Sequence, residues 1–120
     1  MAHILIVDDE VHIRKMLNKA LSLYNHSILE ASNGEAALDI IKHQHIDIVI
    51  IDLVMPQKGG LETVMDIRQM NKKVKLIAIS GKIPTDSHSL KALTQQFQVD
   101  SVIAKPLDID EMIRLIDEMS

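Results

Sequence analysis

Several side chains that can bind or transfer charged groups stand directly after apolar runs in this sequence. Each run is too short for a helix and is free of charge, which indicates a buried strand. The polar residues that follow these runs are Asp8, Asp9, Asp52, Ser80 and Lys105. In an open α/β sheet, the residues that follow the strands collect at the carboxyl edge, where ligands bind. We therefore expect three carboxylates, a hydroxyl and an ammonium to share one crevice.

These residue types suit a particular chemistry. Carboxylates packed together repel one another and raise one another's pKa unless a cation lies between them. Mg²⁺ suits such a site because it takes one or two carboxylates and completes its shell with water and a phosphoryl group. In that arrangement Lys105 and Ser80 bind the remaining phosphoryl oxygens, and the carboxylate of Asp52 is the nucleophile.

The elements that must position these residues alternate along the chain. Five strand patterns alternate with five helix patterns, which predicts an α/β fold with a parallel sheet. The strongest apolar runs, residues 4–7, 48–51 and 76–79, are expected to be the central strands. The weaker runs near residues 28–30 and 102–104 are expected at the edges, as in the doubly wound, flavodoxin-like order 2-1-3-4-5.

Apolar residues recur at helical spacing between the strands. The clearest amphipathic helix, the fifth, covers residues 109–119, and a thin apolar stripe over residues 86–97 indicates the fourth. A Ser-x-x-Glu pattern that begins at Ser32 predicts a capping box for the second helix. The pair Gly59-Gly60 precedes the third helix without a Walker pattern, so we expect it to supply loop flexibility.

Composition restricts the class of protein. The 120 residues are 47% apolar and 25% charged, which is typical of one globular domain. No apolar run reaches the length of a membrane span and no signal-peptide pattern is present, so we expect a cytoplasmic protein with no membrane contact. The absence of cysteine excludes disulfides and thiolate metal sites. The net charge of −4 argues against direct nucleic-acid binding. The six histidines are scattered, and we interpret them as surface or structural residues.

The polar residues lie in four motifs that follow one another in a fixed order. The motifs are Val7-Asp8-Asp9-Glu10, Asp52-Leu53-Val54-Met55-Pro56 with Gly60, Ile79-Ser80-Gly81, and Lys105-Pro106. This ordered set resembles the receiver domain of two-component response regulators, of the chemotaxis-regulator type. The resemblance covers the whole chain, so that residues 1–120 are expected to form one response regulatory domain.

The resemblance implies a function in phosphorelay signal transduction. Asp52 would accept a phosphoryl group from a sensor histidine kinase or a histidine phosphotransfer protein, and Ser80 and Lys105 would contact that group. The Mg²⁺ ligands that it implies are Asp9, Asp52, the backbone carbonyl of Val54 and, largely through water, Asp8. It also implies a cis Lys105–Pro106 bond. Such a domain is a signalling switch and not an enzyme that acts on a separate substrate.

Three residues depart from the family's pattern. Val102 stands in place of the switch aromatic, Gly81 follows the switch hydroxyl where alanine is usual, and Gln98 replaces the glycine before the fifth strand. The phosphoryl chemistry is unaffected, but the usual aromatic part of the output mechanism is missing. We expect the downstream target, which the sequence does not identify, to bind the face formed by the fourth helix, the fifth strand and the fifth helix.

Two positions bear on how long the phosphorylated form lasts. In the family, the residues two beyond the nucleophile and two beyond the switch hydroxyl border the path of the hydrolytic water. Here they are Val54 and Lys82. Val54 offers no hydrogen bond to orient a water, and its branched side chain narrows the approach. A Lys82 side chain that lies across the phosphoryl group would shield it further, so we expect a long-lived phosphoaspartate.

Two other classes of protein were weighed against this interpretation. A haloacid-dehalogenase type of phosphohydrolase also forms an aspartyl-phosphate, but it needs a second Asp where Val54 stands. A flavodoxin-like electron carrier needs a Ser/Thr-rich phosphate loop and stacking aromatics, and the chain has only Tyr24 and Phe97. The cognate kinase, the output, the oligomeric state and whether the receiver stands alone or belongs to a longer protein are left open by the sequence.

Overall fold

Strands and helices alternate in the computed structural model, which describes residues 1–55, 59–70, 73–81, 92 and 95–120. The strands are β1 (His3–Val7), β2 (Ser27–Ala31), β3 (Ile48–Asp52), β4 (Lys75–Ser80) and β5 (Ser101–Ala104). The helices within the described residues are α1 (Val11–Ser22), α2 (Gly34–His43), α3 (Gly60–Met70) and α4 (Ile109–Met119). Helix α4 corresponds to the fifth predicted helix, because most of the fourth predicted helix, residues 86–97, lies outside the described residues.

The strands form one parallel sheet in the order β2-β1-β3-β4-β5. The doubly wound α/β fold and the strand order 2-1-3-4-5 predicted from the sequence are therefore confirmed. The strands predicted to be central are also the buried ones, since every residue of β3 is buried, whereas the edge strands β2 and β5 are only partly covered. This order brings the ends of β1, β3 and β4 together in the middle of one sheet edge.

Successive side chains of the central strands belong to two separate apolar layers, as expected for strands covered on both faces. One layer joins the sheet to α2 and α3, and its buried members include Leu5, Val49, Ile51, Leu76, Ala37, Val64 and Ile67. The other joins the sheet to α1 and α4, and its buried members include Ile4, Ile6, Ile50, Ile77, Leu17, Leu21, Met112 and Ile116. Burial of these side chains fixes the sheet between two helical layers.

Polar groups at the start of β3 join it to both neighbouring strands. The N–H of Asp47 donates to the carbonyl of His3 at 2.8 Å, and the carboxylate of Asp47 accepts from the N–H of His3 at 2.8 Å. The carbonyl of Asp47 accepts from the N–H of Lys75 at 3.0 Å. The hydrogen bond from His3 holds the pKa of Asp47 below its ordinary value, and the ring of His45 acts in the same direction.

The start of α2 differs from the prediction by one residue. Asn33, not Ser32, is the N-cap, and its side-chain oxygen accepts from the N–H of Ala36 at 2.8 Å. Both residue types cap helices well, so the sequence offered two neighbouring candidates. The capping box predicted from Ser32 is therefore wrong.

Arg68 ties α3 to the sheet through its guanidinium. The side chain is only 12% exposed, and it donates to the carbonyls of Val74 at 2.6 Å and Gln98 at 2.9 Å. A third N–H donates to the carboxylate of Asp100 at 3.1 Å. Gln98, next to this anchor, has a φ of 54°, a left-handed conformation that disfavours a residue with a Cβ.

No helix within the described residues is long and apolar enough to cross a membrane.

Replacing Gln98 with Gly is expected to raise the free energy of unfolding by about 0.5–1 kcal/mol, because glycine adopts the left-handed conformation without steric cost. The contacts of Arg68 use the backbone carbonyl of residue 98 and persist in the variant. Asn25, with a φ of 65°, is the matched control, since asparagine tolerates this conformation and Asn25→Gly should gain less. Urea denaturation measures both. An equal effect at the two positions would contradict strain at Gln98.

Candidate functional site

The predicted site residues do collect at the carboxyl edge of the sheet. Asp52 and Ser80 are the last residues of β3 and β4, while Asp8 and Lys105 each follow directly after β1 and β5. The register pairs Ser80, the last residue of β4, with Ala104, so Lys105 lies just beyond the end of β4. The N–H of Lys105 donates to the carbonyl of Ser80 at 3.1 Å, which anchors its backbone beside the edge.

The carboxylate of Asp52 accepts hydrogen bonds at both of its oxygens. The side chain is 5% exposed, and each carboxylate oxygen accepts one hydrogen bond from the part of the chain that the structure describes. Oδ1 accepts from the N–H of Val54 at 2.9 Å, and Oδ2 accepts from Nζ of Lys105 at 2.9 Å. One oxygen is thus bound by the loop that follows β3, and the other by an ammonium from the far end of the chain.

Among the described residues, Lys105 supplies the ammonium that lies among the carboxylates of this site. Besides Asp52, Nζ lies 3.4 Å from Oε1 of Glu10 and 3.8 Å from Oδ2 of Asp8. Burial alone would lower the pKa of Lys105, but the hydrogen bond to Asp52 and the charges of Asp8, Asp52 and Glu10 raise it above its ordinary value. The side chain therefore stays charged, and it can neutralise an anion that enters the site.

Asp8 is buried beneath the other groups, with 2% of its side chain exposed. Its Oδ1 accepts from the N–H of Glu10 at 2.9 Å, whereas Oδ2 accepts a hydrogen bond from no described residue. Burial raises the pKa of Asp8, and the nearby charges of Asp52 and Asp9 add to this against the opposing effects of Glu10 and Lys105. A buried oxygen that accepts no hydrogen bond is the kind of atom that a metal ion or its water satisfies.

The carboxylates of Asp8, Glu10 and Asp52 fit a cation. One oxygen from each lies within 4.8 Å of the others, which makes these three the group of the described residues suited to hold a metal. Hard oxygen donors of this kind are the ligands that Mg²⁺ prefers. Glu10 was not among the predicted ligands. It is the third carboxylate in the run Asp8-Asp9-Glu10 after β1, and this position was the sequence signal that it lies near the site.

A cavity of about 300 Å³ opens above this cluster. It is lined by Asp9, Glu10, Asp52, Val54, Gly81 and Lys105. Asp9 is exposed and lies at the lining of the cavity, outside the three-carboxylate group, and its role as a metal ligand stays a prediction. Val54 is 52% exposed, so its apolar side chain stands at the rim. Lys82, predicted to border the same space, lies outside the described residues.

Two further predictions concern residues around the cavity. The peptide bond between Lys105 and Pro106 is cis, as the resemblance implied. Ser80 is buried at the end of β4, and its predicted contact with a phosphoryl group stays a prediction.

Comparisons with known proteins agree with this geometry. Residues 4–117 match the family model of the response regulator receiver domain. Sporulation initiation phosphotransferase F of Bacillus subtilis is 33% identical over 113 residues, which are 91% of this chain and 86% of that protein. The CAI-1 autoinducer sensor kinase/phosphatase CqsS of Vibrio cholerae is 33% identical over 113 residues, which are 94% of this chain but only 16% of that protein.

Among solved structures, the response regulator protein TrrA of Thermotoga maritima, in complex with Mg²⁺-BeF, superposes with a TM-score of 0.85. It is 32% identical, and the match covers 100% of both chains. The likeness therefore extends over the sheet, the helices and the carboxyl edge together.

Gly60 packs against the backbone of Asp52 and Leu53 at the end of β3. It is the first residue of α3 and is buried, and its N–H donates to the carbonyl of Leu53 at 3.2 Å. A Cβ at this position would lie 2.2 Å from the carbonyl oxygen of Asp52 and 2.4 Å from Cα of Leu53. The glycine thus permits close approach of α3 to the end of β3, so the predicted role of loop flexibility is wrong for Gly60.

Gly60→Ala is expected to destabilise the protein by about 2 kcal/mol or more, because the methyl group meets backbone atoms that cannot move independently of Asp52. Gly59→Ala is the control, since a Cβ at Gly59 meets nothing within 4 Å. Urea denaturation of the two variants gives the comparison. Similar losses in both would mean that the contact with Asp52 is not what requires a glycine.

Proposed function

The chain belongs to the response regulator receiver domain family, and from this premise we propose that residues 1–120 form one receiver domain that is phosphorylated on Asp52. The observation that carries the proposal is the setting of this carboxylate. It is 5% exposed, held by Val54 and Lys105, and it lines a cavity of about 300 Å³. A sheltered nucleophile with an ammonium beside it suits transfer of an anionic group.

In the proposed reaction, an oxygen of Asp52 attacks the phosphorus of a phosphohistidine. The new oxygen–phosphorus bond forms as the phosphorus–nitrogen bond breaks, and the electron pair leaves with the imidazole nitrogen. The ammonium of Lys105, now 2.9 Å from Asp52, neutralises the phosphoryl oxygens as they arrive. Ser80, at the end of the neighbouring strand, would supply a hydroxyl donor.

The proposal includes a resident Mg²⁺. Its ligands would be Asp9, Asp52 and the carbonyl of Val54, with Asp8 acting largely through water and Glu10 as an additional carboxylate. The fit rests on the three carboxylate oxygens within 4.8 Å of one another and on Oδ2 of Asp8, which accepts no hydrogen bond from a described residue. When bound, the ion would offset the negative charge of the transferred phosphoryl group. The complex of the similar TrrA with Mg²⁺-BeF supports this assignment.

We propose that the donor is a sensor histidine kinase or a histidine phosphotransfer protein, which would place the chain in the cytoplasm. The names of two relatives, a sensor kinase/phosphatase and a phosphotransferase, support that class of donor. As a switch, the domain would not act on a separate substrate. Its target would bind the face that includes β5 and α4, together with the predicted fourth helix.

Incubation with acetyl phosphate and Mg²⁺, followed by intact mass measurement, tests the proposed function. The wild type should gain one phosphoryl group that decays slowly, and Asp52→Asn should gain none because it lacks the nucleophile. Chelation of Mg²⁺ should prevent the gain. Continuous turnover of acetyl phosphate without accumulation of phospho-protein would favour the phosphohydrolase class instead.

Asp9→Asn tests the metal assignment. Removing one charge beside Asp8 and Asp52 is expected to raise the melting temperature slightly in EDTA, because these carboxylates repel one another. The same variant should lose most of the increase that Mg²⁺ gives the wild type by mass action. If Mg²⁺ shifts the melting temperature equally in both proteins, Asp9 is not a ligand.

Val54→Asn tests the predicted long lifetime of the phosphorylated form. The exposed, apolar Val54 lines the cavity but cannot orient a water, whereas asparagine can donate and accept hydrogen bonds. Dephosphorylation should become several times faster in Val54→Asn at fixed Mg²⁺ and pH. Val54→Ala, which only widens the approach, is the control for steric access. Unchanged or slower decay in Val54→Asn would contradict the water-orientation argument.

A further inference from the structure

The contacts of Asp8 extend beyond the cavity to helix α1 and strand β2. Asp8 lies one residue beyond β1, and its N–H still donates to the carbonyl of Ala31 at 3.1 Å. Its own carbonyl lies past the last paired residue of β1 and accepts from Nη1 of Arg14 at 2.7 Å. A charged donor at this distance makes a strong hydrogen bond, so Arg14 fixes the backbone of a residue that is otherwise at the free end of a strand.

Arg14 is itself fixed by Glu30 of β2. The guanidinium is 15% exposed, and its Nε donates to Oε1 of Glu30 at 3.1 Å. The other oxygen of Glu30 accepts from Asn18 at 2.7 Å and Lys15 at 3.1 Å. Burial alone would raise the pKa of Glu30, but Asn18, Lys15 and Arg14 together lower it, so the carboxylate that orients Arg14 stays ionised.

We propose that Arg14 is a positioning residue of the phosphorylation site, which holds Asp8 so that Oδ2, the oxygen that accepts no hydrogen bond from a described residue, faces the cation position. This inference rests on the proposed function. The guanidinium of Arg14 hydrogen-bonds to the carbonyl of Asp8 and to Glu30, and neither residue lines the cavity. The backbone N–H of Arg14 donates to the carbonyl of Glu10 at 3.2 Å, a bond that does not depend on the side chain at position 14, so the side chain acts through Asp8.

The carboxylate of Asp8 is held by the N–H of Glu10 at 2.9 Å and lies 3.8 Å from the ammonium of Lys105. Loss of Arg14 would free the carbonyl of Asp8, so that its backbone on the cavity side of the Ala31 contact could turn and carry the carboxylate with it.

The fold contains a second arginine that resembles Arg14 in its burial and in the types of group it binds, but that lies far from the site. Arg68 is 12% exposed, donates to a backbone carbonyl at 2.6 Å and pairs with a carboxylate, Asp100, at 3.1 Å. Its carbonyl partner is Val74, just before the start of β4 and therefore at the opposite edge of the sheet from Asp52. A purely structural role for Arg14 predicts the same behaviour from both arginines.

The test compares Arg14→Met with Arg68→Met in two measurements on the full chain. Urea denaturation in EDTA should show that both lose stability to a similar degree, since each loses a buried charged clamp. Titration calorimetry with Mg²⁺ alone should show a dissociation constant about tenfold higher in Arg14→Met, as for lost support of a metal ligand. In Arg68→Met it should equal that of the wild type.

Two milder variants apply if Arg14→Met does not fold. Arg14→Lys replaces the planar guanidinium with a single ammonium, so the side chain can bind Asp8 or Glu30 but not both. Glu30→Gln removes the charge that orients Arg14. Each should raise the Mg²⁺ dissociation constant by less than Arg14→Met would. An unchanged constant in these variants, or an equal rise in Arg68→Met, overturns the inference. If the wild type itself binds no Mg²⁺, the proposed function fails and the inference with it, an outcome that the wild-type titration alone identifies.

Discussion

The ammonium of Lys105 lies among the carboxylates of Asp8, Glu10 and Asp52, which would otherwise repel one another, most strongly between the buried Asp8 and Asp52. Lys105 and Asp52 are 53 residues apart in the sequence, and the pairing of β3, β4 and β5 side by side brings them together. A parallel sheet achieves this because the carboxyl ends of all its strands lie at one edge. The two apolar layers stabilise that sheet, and so they supply the free energy that keeps like charges together.

The larger features were predictable because they follow from patterns that repeat along the chain. Strands buried on both faces need uninterrupted apolar runs, and weaker runs belong at the edges of the sheet. Once the strand order was fixed, Asp52, Ser80 and Lys105 could lie only at the carboxyl edge. Their types then indicated a phosphoryl-transfer site, and the resemblance added the cis Lys105–Pro106 bond, which the sequence patterns by themselves do not determine.

The details that escaped prediction depend on side-chain directions and on contacts between distant segments. Asn33 and Ser32 are equally good caps, and only the phase of α2 selects Asn33. Gly59 and Gly60 are neighbours of the same residue type, so the sequence does not distinguish them, yet of the two only Gly60 packs against the backbone of Asp52. Arg14 has the spacing of an ordinary surface residue on a helix, and its carbonyl partner is visible only in three dimensions.

The hydrogen bonds of Asp47 also bear on the accuracy of the site, through the register of β3. The strand reads Ile-Val-Ile-Ile, so a slip by two residues would keep each side chain on its own face and exchange similar apolar groups. Apolar packing therefore opposes such a slip only weakly. Asp47 opposes it as well, because the slip would separate its carboxylate from the N–H of His3 on the neighbouring strand. The position of Asp52 at the carboxyl edge, measured along the strand, is thus set in part by a residue at the opposite end of β3.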